Sequence, residues 1–115
     1  MHEIGIANAI LEAGQAEATR RNGAKLIRIG IRVGTLSGVD NDALRFALTA
    51  LTIDTELEKV DFEIQSCPRR NRCVECGKEF ESDTASVPCP QCDSVKLVLA
   101  GGDELDLAFV ELEEA

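Results

Sequence analysis

The sequence predicts an α+β fold: a small β-sheet covered by two helices, with a four-cysteine zinc-binding module inserted between two of the strands. Three observations predict it. Two segments carry apolar side chains at helical spacing, others alternate apolar and polar residues, and the composition breaks sharply at Cys67-Pro68. A sheet with one apolar face needs a cover, and two amphipathic helices supply it. The chain of 115 residues has four Phe and no Tyr or Trp, so its core rests on Ile, Leu, Val and Ala.

In residues 3–21, Ile6, Ile10 and Ala13 repeat at helical spacing, and Ala7, Leu11, Gly14 and Ala18 widen the stripe. Asn22-Gly23 is a stop signal. Residues 25–34 alternate: Ile27, Ile29, Ile31 and Val33 are expected on one face, Arg28, Gly30, Arg32 and Gly34 on the other. A turn-rich link leads to a second helix over 41–51, with Asp40 as N-cap. Its predicted buried stripe is Leu44, Leu48 and Leu51, with Phe46 and Ala47 beside it. Val60, Phe62 and Ile64 mark another strand over 59–66. After Gly101-Gly102-Asp103, residues 104–112 form the last, with Leu105, Leu107 and Phe109 expected on one face.

Between them, residues 67–94 hold all five Cys, all three Pro and few large apolar side chains. Such a stretch cannot build a core, so a metal must replace one. The expected division is residues 1–66 plus 101–115 as an α/β unit and 67–100 as a zinc-binding module, with a short strand over 95–99.

Two C-x-x-C pairs carry the metal reading: Cys73-Val-Glu-Cys76-Gly-Lys and Cys89-Pro-Gln-Cys92-Asp-Ser. A two-residue spacer lets both thiolates of a tight turn face one ion while backbone N–H groups point at the sulfurs. Two such knuckles complete a closed tetrahedral shell, as in structural zinc sites. Rubredoxin-like iron uses the same ligand set. Gly77 supplies the left-handed conformation that the first knuckle needs, and Asp93 takes that place in the second. Cys67 is left over, either a small residue at the domain junction or a hinge thiol able to exchange into the zinc shell or bind a second metal.

Composition narrows the function classes. Twelve Lys and Arg against 21 Asp and Glu give a net charge of −9. Such a chain repels phosphate and lacks aromatics to stack on bases, so a basic protein or a metal cation is the natural partner. No apolar run reaches the length of a membrane span, and the first residues lack a signal-peptide layout. With paired Cys in a chain of this kind, reducing conditions and a cytoplasmic location are expected.

His2 is the single histidine. Met1 is expected to persist before so large a residue. The terminal amine, the His2 amide and the His2 imidazole would then form successive chelate rings suited to planar Ni(II) or Cu(II), with the Glu3 backbone nitrogen or carboxylate as a further donor. The plain reading is an exposed terminus with an incidental His.

Taken together the chain resembles the HypA/HybF family of hydrogenase maturation proteins. The matching segments are Met1-His2-Glu3, residues 33–39, Leu44-Arg45-Phe46-Ala47-Leu48, Thr55-Glu56-Leu57-Glu58, the two knuckles and Gly101-Gly102-Asp103-Glu104-Leu105. The chain departs from the family at Gly5, where Ser is frequent, and at Asp93, where Gly is common; neither removes a ligand. The resemblance implies a nickel metallochaperone, with Ni(II) held by Met1, His2 and Glu3 and structural Zn(II) by Cys73, Cys76, Cys89 and Cys92. It implies transfer of nickel, with a HypB-type GTPase, to the [NiFe]-hydrogenase large subunit and in some organisms to urease maturation proteins. Both a monomer and a weak dimer are compatible with it.

Two other classes compete with this one. A zinc-ribbon module binding nucleic acid or transcription machinery draws on Arg69, Arg70 and Arg72. However, these and Lys78 and Lys96 are matched by Glu75, Glu79, Glu81, Asp83 and Asp93. No catalytic Ser/His/Asp set, phosphate-binding Gly loop or paired acid marks an enzyme. Asp40, Asp42, Glu104 and Asp106 read as cap or surface charge. Gly34–Gly38 reads as a strand-to-helix connection or a docking loop, and Glu12 and Glu17 as an acidic helix face.

Overall fold

The computed structural model describes residues 2–114. Helical spacing in the first segment becomes α1, His2–Arg20. Asn22 (φ 62°) and Gly23 (φ 73°) turn the chain out of it, and it continues into β1, Lys25–Gly34. A second helix, α2, spans Asn41–Thr52. The Asp40 carboxylate accepts from the Asp42 and Ala43 amides at 2.9 and 3.2 Å, the predicted cap, worth about 1 kcal/mol. Strand β2, Asp61–Cys67, follows. Then come β3, Arg70–Cys73, β4, Glu79–Glu81, β5, Leu97–Gly101, and β6, Leu105–Glu113.

Among the described residues, six strands make two three-stranded sheets. In the first, β1 is central, parallel to β2 and antiparallel to β6. In the second, β3 is central and antiparallel to both β4 and β5. The molecule measures 54 × 28 × 16 Å, so the sheets lie end to end. Helix α1 packs on β1 and β6, and α2 on α1 and β2. Ala7, Ile29, Ile31, Leu44 and Leu48, each fully buried, make the centre of the core.

The expected faces hold in outline and slip in detail. Leu26, not Ile27, joins Ile29, Ile31 and Val33 in the core, because the β1–β6 register shifts between Leu26 and Arg28. A bulge inserts a residue and reverses the alternation beyond it. A second shift, at Gly30/Ile31, separates Leu107 from Phe109. Leu107, Val110 and Leu112 pack on the core, while Leu105 is partly exposed and Phe109 covers Gly30 on the opposite face. There a Cβ on Gly30 would come within 2.2 Å of the Phe109 ring. That face also carries the Arg32–Asp106 pair, bidentate at 2.8 and 3.0 Å.

On the helices, α1 buries Ala7, Ile10, Leu11 and Gly14, whereas Ala13 is exposed. Helix α2 buries Leu44, Ala47, Leu48 and Thr52. Phe46 does not lie beside that stripe as expected but is 75% exposed.

The two sheets meet at a narrow neck around the end of β1. The Thr35 amide donates to Cys67 O at 2.9 Å, where the chain leaves the first sheet. The Gly34 and Leu36 amides donate to Glu104 O and Gly102 O, both at 2.7 Å, where it returns. Gly34 has no room for a side chain: a Cβ would lie 2.0 Å from Gly102 O. Gly102 itself packs on Arg69 with φ 107°.

Candidate metal centre

Both knuckles are built by the same backbone bonds. Cys73 N–H donates to Lys78 O, and Gly77 N–H returns to Cys73 O, each at 2.9 Å. In the second knuckle, Cys89 N–H donates to Ser94 O at 2.9 Å and Asp93 N–H to Cys89 O at 2.8 Å. Each loop closes through a residue of positive φ, 78° at Gly77 and 68° at Asp93, as the sequence indicated. The Val74 amide donates to Lys96 O at 2.9 Å, tying the first knuckle to the strand that leaves the second.

This folding brings the four Sγ atoms of Cys73, Cys76, Cys89 and Cys92 within 4.8 Å of one another. Cys73–Cys92 and Cys76–Cys89 are 3.5 and 3.6 Å apart. Sulfurs at a tetrahedral zinc are about 3.8 Å apart, given Zn–S bonds of about 2.3 Å. The cluster therefore fits a structural zinc site. Cys73 and Cys89 are buried, Cys76 and Cys92 exposed.

The thiols perturb one another strongly. The Cys76 amide, with the Cys92 thiol and the Glu75 amide, lowers Cys73 to about 7 against burial. The Ser94 amide favours the Cys92 thiolate, but the neighbouring Cys73 and burial outweigh it and push Cys92 up to about 12. At Cys76 the Lys78 amide favours the thiolate, yet burial and Cys89 raise it overall. At Cys89 burial opposes ionisation, but the Cys92 and Gln91 amides win and lower it. Four thiolates this close need a cation among them. A dication held by all four would leave no open position for a substrate.

Cys67 stands apart, at the end of β2, with its Sγ 3.8 Å from Gln65 O. The module is further fixed by Asn71, a buried side chain that sequence reading passed over. Its Nδ2 donates to Ser82 Oγ at 2.7 Å, and its Oδ1 accepts from Arg69 Nε at 3.1 Å.

At the other end of the chain, Met1 and the side chain of His2 lie outside the described residues. Glu3 is described. It sits in the first turn of α1, half-buried, and its Oε2 accepts from the Asp40 amide at 3.5 Å. The start of α1 is thus held beside the start of α2.

A family model described as hydrogenase/urease nickel incorporation, metallochaperone, HypA, matches residues 1–112. The chain belongs to the HypA family. A hydrogenase maturation factor HypA from Geobacter metallireducens is 34% identical over 98% of this chain and 100% of its own length. One from Rhodopseudomonas palustris is 33% identical with the same coverage. The solution structure of the nickel metallochaperone HypA from Helicobacter pylori covers all of both chains with a TM-score of 0.66 at 19% identity. A second HypA solution structure gives 0.71 at 19% identity, over 100% of this chain and 97% of that one. These two show the shared α+β fold. HypA proteins are nickel-incorporation metallochaperones of hydrogenase maturation, not enzymes. In this HypA chain, no helix among the described residues is long and apolar enough to cross a membrane.

Proposed function

We propose that this HypA-family chain binds Ni(II) at Met1, His2 and Glu3 and delivers it to the [NiFe]-hydrogenase large subunit with a HypB-type GTPase, in the cytoplasm. Where the organism makes urease, its maturation proteins are a second destination. Zn(II) is held by Cys73, Cys76, Cys89 and Cys92 in a module of residues 67–100. Residues 1–66 and 101–115 form the nickel-binding α/β unit.

The observation that carries the reading is the family match across residues 1–112, which takes in both Met1-His2-Glu3 and the knuckles. Physical chemistry separates the two metals. A closed thiolate shell retains its ion, which suits a fastener for a module with no apolar core. An amine, an amide nitrogen and an imidazole do not close a tetrahedral shell and leave a site that an acceptor can reach. Protonation of those nitrogens releases the metal. Cu(II) would bind the same donors more tightly, so selectivity for nickel comes from supply and partners.

The test is Ni(II) titration of the wild type, His2→Ala and a form with extra residues before Met1. Binding should be lost or strongly weakened in both altered forms, with zinc content unchanged. Full stoichiometric binding in both would rule out the terminal chelate.

A further inference from the structure

Beside the start of α1 lies an open groove of about 370 Å³ between the two helices. Ile4 lines it from α1; Phe46, Ala47, Ala50 and Leu51 line it from α2. Phe46 is 75% exposed and Ile4 45%. Phe46 is one of four aromatic residues in the chain, and nothing in the fold gains from leaving it in water. The core turns of α2 are already filled by Leu44, Ala47 and Leu48. A contiguous exposed apolar surface of this kind marks an interaction site.

We propose that this groove docks a protein partner of the nickel-delivery step, which enters it with an apolar side chain flanked by Lys or Arg. The inference rests on the delivery reading above. Charge selects the occupant. Among the described residues, the charged ones lining the groove are Glu3 and Asp42, both acidic. Arg45, the basic residue of α2, is turned away and donates to Phe62 O at 3.1 Å. A second copy would bring Glu3 and Asp42 against their own counterparts, on chains that each carry −9. A basic partner meets the same acids as attraction and is steered to the groove. Phe46 and Ile4 then act as anchors that lose water on docking. Because Glu3 lines the groove, docking would set the partner beside the proposed nickel donors.

The experiment measures binding of the large-subunit precursor and of the GTPase to wild type, Phe46→Ala and Ala50→Arg, by biolayer interferometry at low and physiological salt. Phe46→Ala removes the anchor, and Ala50→Arg fills the groove and reverses its charge. Each variant should bind at least one of the two proteins ten-fold or more weakly, while melting temperature and Ni(II) stoichiometry stay as in wild type. Wild-type binding should weaken as salt rises. Unchanged affinity of both variants for both proteins overturns the proposal, as does failure of the wild type to bind either. A wild-type dimer that Phe46→Ala dissolves, seen by sedimentation, would assign the groove to a second copy and also overturn it. Loss of docking with nickel binding intact supports the groove. Intact docking by a His2→Ala variant that still binds nickel sinks the terminal chelate alone.

Discussion

Gly34→Ala should loosen the neck between the two sheets without touching either metal site. The new methyl would lie 2.0 Å from Gly102 O, 2.3 Å from Gly102 C and 2.7 Å from Glu104 N. These are backbone atoms, so no side chain can swing aside. A carbon needs about 3.5 Å, so the returning strand must retreat by roughly 1.5 Å. That retreat breaks two bonds of 2.7 Å, Gly34 N–H to Glu104 O and Leu36 N–H to Gly102 O. At about 1 kcal/mol each, with about 2 kcal/mol for overpacking, the cost is about 4 kcal/mol. Reduced freedom of the unfolded chain returns up to about 1 kcal/mol. The net loss of about 3 kcal/mol lowers Tm by about 12 °C, at roughly 4 °C per kcal/mol for a domain of this size. Far-ultraviolet circular dichroism reads it cleanly, since both helices belong to the first sheet's unit. Zinc content should not change, because none of the four thiols takes part in these bonds. A Tm within about 2 °C of wild type would refute the close approach.

Other perturbations separate core from cluster. Leu48→Ala deletes a fully buried side chain at the centre of the core and should cost about 2–5 kcal/mol in chemical denaturation; a cost below about 1 kcal/mol would mean that the helices pack loosely. Chelating the zinc should collapse amide resonances of residues 70–101 while those of α1 and α2 persist; uniform loss across the chain would refute the separate fastening of the module.

Much of this was legible because local chemistry decided it. Asp40 caps α2 because a carboxylate two and three residues ahead of free amides has few better uses. The knuckles could be read from spacing and from Gly77 and Asp93 alone. What escaped depends on partners distant in sequence. The β1 alternation fails at Leu26 because β6 imposes the bulge, and Phe109 leaves its expected face because Gly30 offers the space. Strands β3 and β4, Arg70-Asn71-Arg72-Cys73 and Glu79-Phe80-Glu81, carry almost no apolar signal. They form through pairing around Asn71, whose polar side chain is buried against Ser82 and Arg69. Phe46 misled because helical spacing places a residue on a face without saying whether the partner is in the same chain.

The neck also bears on how the chain is made. Val33 pairs with Leu105, yet everything between α2, β2 and the module is synthesised before Leu105 exists. Until β6 emerges, the β6-side edge of β1 is unpaired and the apolar surface that Leu107, Val110 and Leu112 will cover is open. Gathering the four thiols onto one ion shortens the effective loop that must close to bring β6 home, and so lowers the entropy lost in closing it. The supply of one metal would thereby pace the birth of a carrier for another.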